Sequence, residues 1–210
     1  MAHEYASDIW NGLLLDIGNE FGVAGLMGNL QAESGLCPYR LQGDFTEGYT
    51  TSVNYTAKVN SGEISKNDFI YNGPNGGGYG LAQWTFWSRK QGLYEMWKSG
   101  GYHSIGSVDL AIAYLLWELK NNYRGVYNTL VNATSVRQAS DVVLHNFENP
   151  ADQSVSVEEL RATLGQNWYN QFAGGGDPNP DPPTPINPTD YIPKKRKMSI
   201  ALMYMATKRR

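Results

Sequence analysis

The sequence predicts an α+β domain, predominantly α, over residues 1–173 of a 210-residue chain. Three observations point to it. Apolar residues recur at helical spacing in several separate stretches, most of them with start or stop signals. One long stretch, 36–80, keeps no such period. The composition then changes abruptly at Gly174, where a Pro- and Gly-rich run begins.

Taken in order, Ile9, Trp10, Leu13, Leu14 and Ile17 form the apolar stripe of a first amphipathic helix. Gly18 and Gly22 are expected to bracket the turn into a second. That helix carries Val23, Leu26, Met27 and Leu30 at i, i+3, i+4 and i+7, and Glu33 continues the stripe before Gly35 offers a stop. A carboxyl group is thus expected at the C-terminal end of a core-facing helix. Burial and the negative end of the helix dipole both disfavour its charged form and raise its pKa. An acid still protonated near neutral pH is what a glycosidase needs to protonate a leaving oxygen. The plain alternative is a Glu that reaches past the helix end into water.

Residues 36–80 are rich in Gly, Asn, Thr, Ser and Tyr, which predicts loops and a short β-hairpin ending in Asn75-Gly76-Gly77-Gly78-Tyr79-Gly80. A stretch of this length with little regular structure is often a binding or active-site element. Helices return over about 86–97, then from Ser107 with Val108, Ala111, Ile112, Leu115, Leu116 and Leu119 on the apolar face. Ser135-Val136-Arg137-Gln138 reads as a capping box. A second box, Ser156-Val157-Glu158-Glu159, is expected to open the last helix through Leu160, Leu164, Trp168 and Tyr169. Residues 174–190 hold six of the ten prolines and read as an extended linker. Residues 191–210 are basic at both ends and apolar between. They suit contact with an anionic cell surface, or form a plain chain end.

Charge narrows the function. The chain carries −3 in all, with seven basic and three acidic residues in 174–210. The rest is therefore acidic, which argues against nucleic acid as a partner. A single cysteine excludes a disulfide framework and a Cys-based zinc site. His3, His103 and His145 are too scattered to predict a metal site, and no cofactor is implied. No stretch approaches the ~18 apolar residues of a membrane span, and residues 1–12 lack the pattern of a signal peptide.

A second signal is Gly78-Tyr79-Gly80-Leu81-Ala82-Gln83-Trp84-Thr85. Glycines let backbone approach a ligand closely. Gln83 offers donors and an acceptor for sugar hydroxyls and N-acetyl groups. Tyr79 and Trp84 offer flat faces on which a pyranose ring can lie.

A helix ending in Glu33-Ser34-Gly35, a polar stretch of some forty residues, then this Gly-Tyr-Gly-Leu-Ala-Gln-Trp-Thr segment together resemble the phage tail lysozyme family. The likeness continues through Thr85-Phe86-Trp87-Ser88-Arg89-Lys90-Gln91, Tyr114-Leu115-Leu116-Trp117-Glu118-Leu119 and Asn146-Phe147-Glu148-Asn149-Pro150-Ala151-Asp152-Gln153-Ser154. It spans about residues 5–173. The family is similar in core architecture to goose-type lysozymes and lytic transglycosylases. The resemblance implies a lysozyme-like domain with a groove for peptidoglycan glycan strands, one wall of it made by 36–80. It also implies Glu33 as general acid and Gly80, Leu81, Gln83 and Trp84 as residues lining the cleft, where Tyr79 is expected to join them as an aromatic face. The expected reaction is cleavage between N-acetylmuramic acid and N-acetylglucosamine, in Gram-positive walls. A lytic transglycosylase and a non-catalytic glycan-binding tail module are the alternatives. The chain is expected to be monomeric, carried by a virion or released from the host cytoplasm.

The second carboxylate is open. Asp44 ranks first among Asp44, Glu47, Glu63 and Asp68 because it follows the Glu33 helix most closely. The family pattern often places Asp near Asn60, where this chain departs from it. Glu118 and Glu148 read as structural acids tied into buried hydrogen-bond networks. Cys37 follows the C-terminal end of a helix, where the dipole opposes a thiolate, and reads as a small buried residue.

Overall fold

The computed structural model describes residues 3–73 and 77–173, so the expected linker at 174–190 and basic segment at 191–210 lie outside the described residues. The described residues are mostly helical. Nine α-helices run in the order α1 (Ala6–Ile17), α2 (Glu20–Ser34), α3 (Thr50–Ser61), α4 (Lys66–Tyr71), α5 (Trp87–Gly100), α6 (Val108–Asn121), α7 (Arg124–Val131), α8 (Val136–Val143) and α9 (Val155–Phe172). A 3-10 turn, Glu47–Tyr49, precedes α3, and a π-helical turn, Leu144–Glu148, follows α8.

The β part of the expectation shrinks to isolated bridges, Leu41 with Tyr79 and Tyr79 with Trp84. Much of 36–80 is helical instead, as α3 and α4. These helices were hidden because their apolar faces are thin: only Ser52, Thr56 and Val59 of α3, and Phe69 and Ile70 of α4, are buried. Short polar helices of this kind have little periodic signal and depend on tertiary packing.

Helix α2 is the centre of the domain. Every residue from 22 to 30 is buried, so the helix is covered all round, whereas the sequence pattern describes one apolar face. Gly22 lies inside α2 rather than in the preceding turn. The turn is made by Gly18 in the left-handed conformation, and Asn19 caps α2 by accepting from the Gly22 N–H at 3.1 Å. The same Asn19 donates to the Val131 and Ala133 carbonyls at 3.0 Å, which fastens the start of α2 to the end of α7.

Glycines at i, i+3 and i+6 let three helices approach α2 at backbone distance. A Cβ at Gly22 would sit 2.1 Å from the Leu130 carbonyl oxygen of α7. One at Gly25 would sit 2.5 Å from the Ala139 side chain of α8, and one at Gly28 would sit 2.3 Å from the Arg161 carbonyl oxygen of α9. Gly165 of α9 meets α2 in the same way, against the Ala24 carbonyl oxygen at 2.8 Å. These close crossings position the site, because they bring α9 side chains within reach of the end of α2.

The expected Ser135 start holds with a different box, and the last helix start shifts. Ser135 caps α8 by accepting from the Gln138 N–H, but the Gln138 side chain returns to the Thr134 N–H rather than closing the box on Ser135. The last helix begins at Val155, with Ser154 as its cap residue, slightly ahead of the expected Ser156 box.

Candidate functional site

Helix α2 stops at Gly35, whose φ of 65° is left-handed and whose N–H closes on the Gln31 carbonyl. Glu33 therefore lies in the last turn of a rigid, buried helix. Its side chain is 21% exposed, and its Oε1 accepts from Arg161 Nη2 at 2.7 Å. Arg161 has no exposure at all. Its Nη1 donates at 3.0 Å to Asn29 Oδ1, one helical turn before Glu33. Asn29 is fixed in turn by donating to the Gly25 and Ser140 carbonyls. The environment differs from the expected one. An ion pair to a clamped guanidinium, on a side chain that is partly exposed, replaces apolar burial at the dipole's negative end.

The second motif reaches the end of α2 through residues 40–42. Gly80 N–H donates to the Arg40 carbonyl at 2.8 Å, Gln42 N–H to the Gly78 carbonyl at 2.9 Å, and Gly78 N–H to the Gln42 side chain at 3.0 Å. Residues 79–84 close into a tight turn, since Tyr79 and Trp84 exchange backbone hydrogen bonds at 3.2 and 2.9 Å. Gly80 and Gln83 both have positive φ, 81° and 45°. For Gln83 this is a costly conformation. Its side chain holds it there, with Nε2 donating to the Arg40 and Gly80 carbonyls at 3.0 Å.

The expected flat sugar platforms are not on the surface. Tyr79 is 2% exposed and Trp84 is fully buried, as is Leu81. The Tyr79 hydroxyl meets Thr56 Oγ1 at 2.8 Å, and its ring packs against Phe69. Trp84 packs against Tyr114 and donates its indole N–H to Glu118 at 2.6 Å. These aromatics hold the turn to the core and present no face to a ligand. Gly80 is also buried, and of the five predicted substrate residues Gln83 alone is partly exposed. Exposed aromatic faces just beyond the turn belong to Phe86 and to Trp87, which stacks on Tyr71 with ring centroids 6.1 Å apart.

Asp44 is 5% exposed and serves as a cap. Its Oδ1 accepts from the Thr46 N–H at 3.0 Å and hydroxyl at 2.6 Å; its Oδ2 accepts from the Ser52 N–H at 2.7 Å and from the Ser52 hydroxyl. Burial raises its pKa, but the bonds from Ser52 and Thr46 outweigh that and hold it below the ordinary value. Four donors leave no lone pair to spare for activating a water. Asn60, at the position where the family pattern suggests Asp, ties the loop before α6 by bonding Ser104 and the Ile105 N–H.

Glu118 is structural, as expected. It is fully buried, and besides Trp84 it accepts from Arg89 Nε at 2.7 Å and Nη2 at 2.9 Å. Glu148 closes the π-helical turn and is 6% exposed. Burial first, then the neighbouring Glu33 charge, push its pKa up to about 8, against the opposing pull of Arg89 and Arg161. Cys37 is buried, and burial pushes its thiol up to about 11, which removes it as a nucleophile.

The sequence reading missed Arg161 and Asn29. A signal existed for each: Asn29 precedes Glu33 by one helical turn, and Arg161 falls on the stripe Arg161, Leu164, Trp168, where an apolar residue belongs. Among the described residues no group of His, Cys, Asp and Glu could hold a metal, and no helix is long and apolar enough to cross a membrane. Surface depressions along α8–α9, lined by Val136, Glu159 and Thr163, and along α4–α5, lined by Lys66 and Tyr94, do not include Glu33.

A family model described as phage tail lysozyme matches residues 4–172, nearly all of the described chain. No curated protein and no solved structure matches it.

Proposed function

Because the chain belongs to the phage tail lysozyme family, we propose that it is a muramidase. It cleaves the β-1,4 bond between N-acetylmuramic acid and N-acetylglucosamine in bacterial peptidoglycan, with Glu33 as general acid. The family suggests lysozyme-like activity on peptidoglycan in general; the bond, the acid and a Gram-positive target are our reading. The observation that carries it is Glu33, its side chain partly exposed at the end of a rigid central helix and its carboxyl in contact with a buried guanidinium. A protonated Glu33 gives its proton to the bridging oxygen as the C1–O bond breaks. The carboxylate that forms is received by Arg161, 2.7 Å away, a charge-assisted bond already in place before the reaction. Exposed aromatic faces at Trp87 and Tyr71 are where sugar rings would stack. No cofactor enters. The protein would meet its glycan strand at the cell wall, carried by a virion or released from the host.

The saturated carboxylate of Asp44 favours attention to a second reading. If no second acid activates water, the C6 hydroxyl of the muramic sugar can attack C1 instead. Its oxygen bonds to C1, its proton passes to the Glu33 carboxylate, and the bridging oxygen leaves with the proton Glu33 gave. The product is then a 1,6-anhydro sugar rather than a reducing end. Mass spectrometry of muropeptides released from a Gram-positive wall separates the two.

Glu33→Gln keeps size and much of the hydrogen bonding but removes the transferable proton. General acid catalysis is worth ~10²–10⁴-fold, so lysis in a turbidity assay should fall by that order while the circular dichroism spectrum stays unchanged. A variant that keeps more than about a tenth of wild-type activity removes Glu33 from this role.

A further inference from the structure

Lys90 on α5 is a buried cation that the reaction above does not use. It is 3% exposed. Among the described residues no hydrogen bond or ion pair engages its amine, and burial alone holds its pKa below the ordinary value. The acids on the neighbouring helices are taken. Asp68 of α4 accepts from Ser65 and Asn72, and Glu95 of α5 pairs with Lys66. A buried ammonium without a partner costs stability, so packing gives no account of it.

Polar groups gather where Gly73 lacks a side chain. A Cβ at Gly73 would lie 3.0 Å from Lys90 Nζ, 3.5 Å from the Phe69 carbonyl oxygen and 3.7 Å from the Tyr55 hydroxyl. A side chain at residue 73 would press on the amine, and glycine leaves it clear. The Tyr55 phenol stays protonated, since burial and then the Asp68 charge push its pKa up to about 12. An ammonium and a hydroxyl, both donors, thus converge on one point. That point borders the exposed aromatics. Trp87 precedes Lys90 by three residues, so the two are neighbours on one face of α5. Tyr71, two residues before Gly73, stacks on Trp87, and both rings are more than half exposed.

We propose that Lys90, with the Tyr55 hydroxyl, binds a carboxylate of the peptide carried by the muramic sugar, beside a sugar ring stacked on Trp87 and Tyr71. The proposal rests on the reading of the substrate as peptidoglycan. The sugar backbone of that polymer is neutral, and its peptides carry carboxylates. A carboxylate accepts from an ammonium and a phenol together, and the charge-assisted bond is stronger than one to a sugar hydroxyl. Pairing also offsets the cost of the buried amine.

The test is calorimetric titration of the full chain carrying Glu33→Gln, with Lys90 intact or with Lys90→Met. The ligands are soluble glycan strands free of phosphate polymers, in three forms: peptides attached, peptides attached with their carboxylates amidated, and peptides removed. With Lys90 intact, the carboxylate-bearing strands should bind about fivefold tighter or more than the other two. In Lys90→Met the three Kd values should converge, while the melting temperature holds or rises because an unpaired buried amine is gone. Equal Kd values with Lys90 intact overturn the proposal. So does a carboxylate preference that persists in Lys90→Met, and a lowered melting temperature beside it assigns Lys90 to the end of α4. Should Lys90→Met not fold, Tyr55→Phe decides: it should lose about threefold in affinity for the carboxylate-bearing strands alone, and an unchanged preference overturns the proposal. Digestion products of the wild-type protein report on the muramidase reading separately. Cleavage of the sugar bond without a carboxylate preference sinks the Lys90 site alone, and a preference without sugar-bond cleavage sinks the muramidase reading alone.

Discussion

Asp44 shows how a single residue can look catalytic and be structural. Four donors from Thr46 and Ser52 fill its carboxylate, and two of them come from the first turn of α3. Negative charge there also suits the helix dipole. Asp44→Asn turns two acceptor positions into donors facing donors. It should cost about 1–3 kcal/mol of stability, read as a lower midpoint in urea, with the loss of activity at ordinary temperature following unfolding rather than chemistry. The pH sign is fixed by the direction of its shift. A carboxyl held below its ordinary 3.8 in the fold contributes stability above that pH, and the contribution is lost as pH falls through the lower folded value. Wild type should therefore lose part of its advantage over Asp44→Asn on acidification. A constant gap between the two down to strongly acid pH would exclude the capping role.

Elements explain why Glu33 can be so well held. The crossing of α2 and α9 has backbone against backbone, with Gly28 facing Arg161 and Gly165. Adding a methyl group at Gly28 places a carbon 2.3 Å from the Arg161 carbonyl oxygen, and a backbone atom cannot swing aside. Gly28→Ala should separate the two helices and cost roughly 1–3 kcal/mol. It should also lower activity beyond the loss of folded protein, because Arg161 is withdrawn from Glu33 and Asn29. Thermal melting together with activity per folded molecule measures both. Full activity with an unchanged melting temperature would show that the crossing has slack. The 79–84 turn makes a related point. Its motif is legible in sequence, but its aromatics face inward, as Tyr79 on Thr56 and Phe69 and Trp84 on Glu118 and Tyr114.

For the whole molecule, the family match ends at residue 172 and α9 ends at Phe172, where the ring stacks with Trp10 and Trp168. A chain cut after Ala173 should stay folded and keep its activity on isolated peptidoglycan. On whole cells at low salt, residues 191–210 should raise activity through their seven-residue share of basic charge at positions 194–197 and 208–210. An attraction of ~1 kcal/mol per basic residue at an anionic lipid surface is the scale expected, fading as salt rises. Equal activity of the two proteins on cells at low salt would make the segment passive.

What the sequence determined by itself is local. Period and stop signals located most of the larger helices, the Glu33 position in the last turn of α2 and the Gly35 that ends it. The two motifs together pointed to the family. What only the tertiary structure decided is which distant groups meet. Arg161 and Glu33 are 128 residues apart, and Trp84 and Glu118 are 34 apart. Periodicity tells that a face is buried, not what covers it, so it could not say that Tyr79 and Trp84 face the core. Nor could it say that Asp44 is spent on a helix start. The meeting of Arg161 with Glu33 depends on a glycine crossing that lets α2 and α9 touch at backbone distance, and a crossing is a property of two segments rather than of either one.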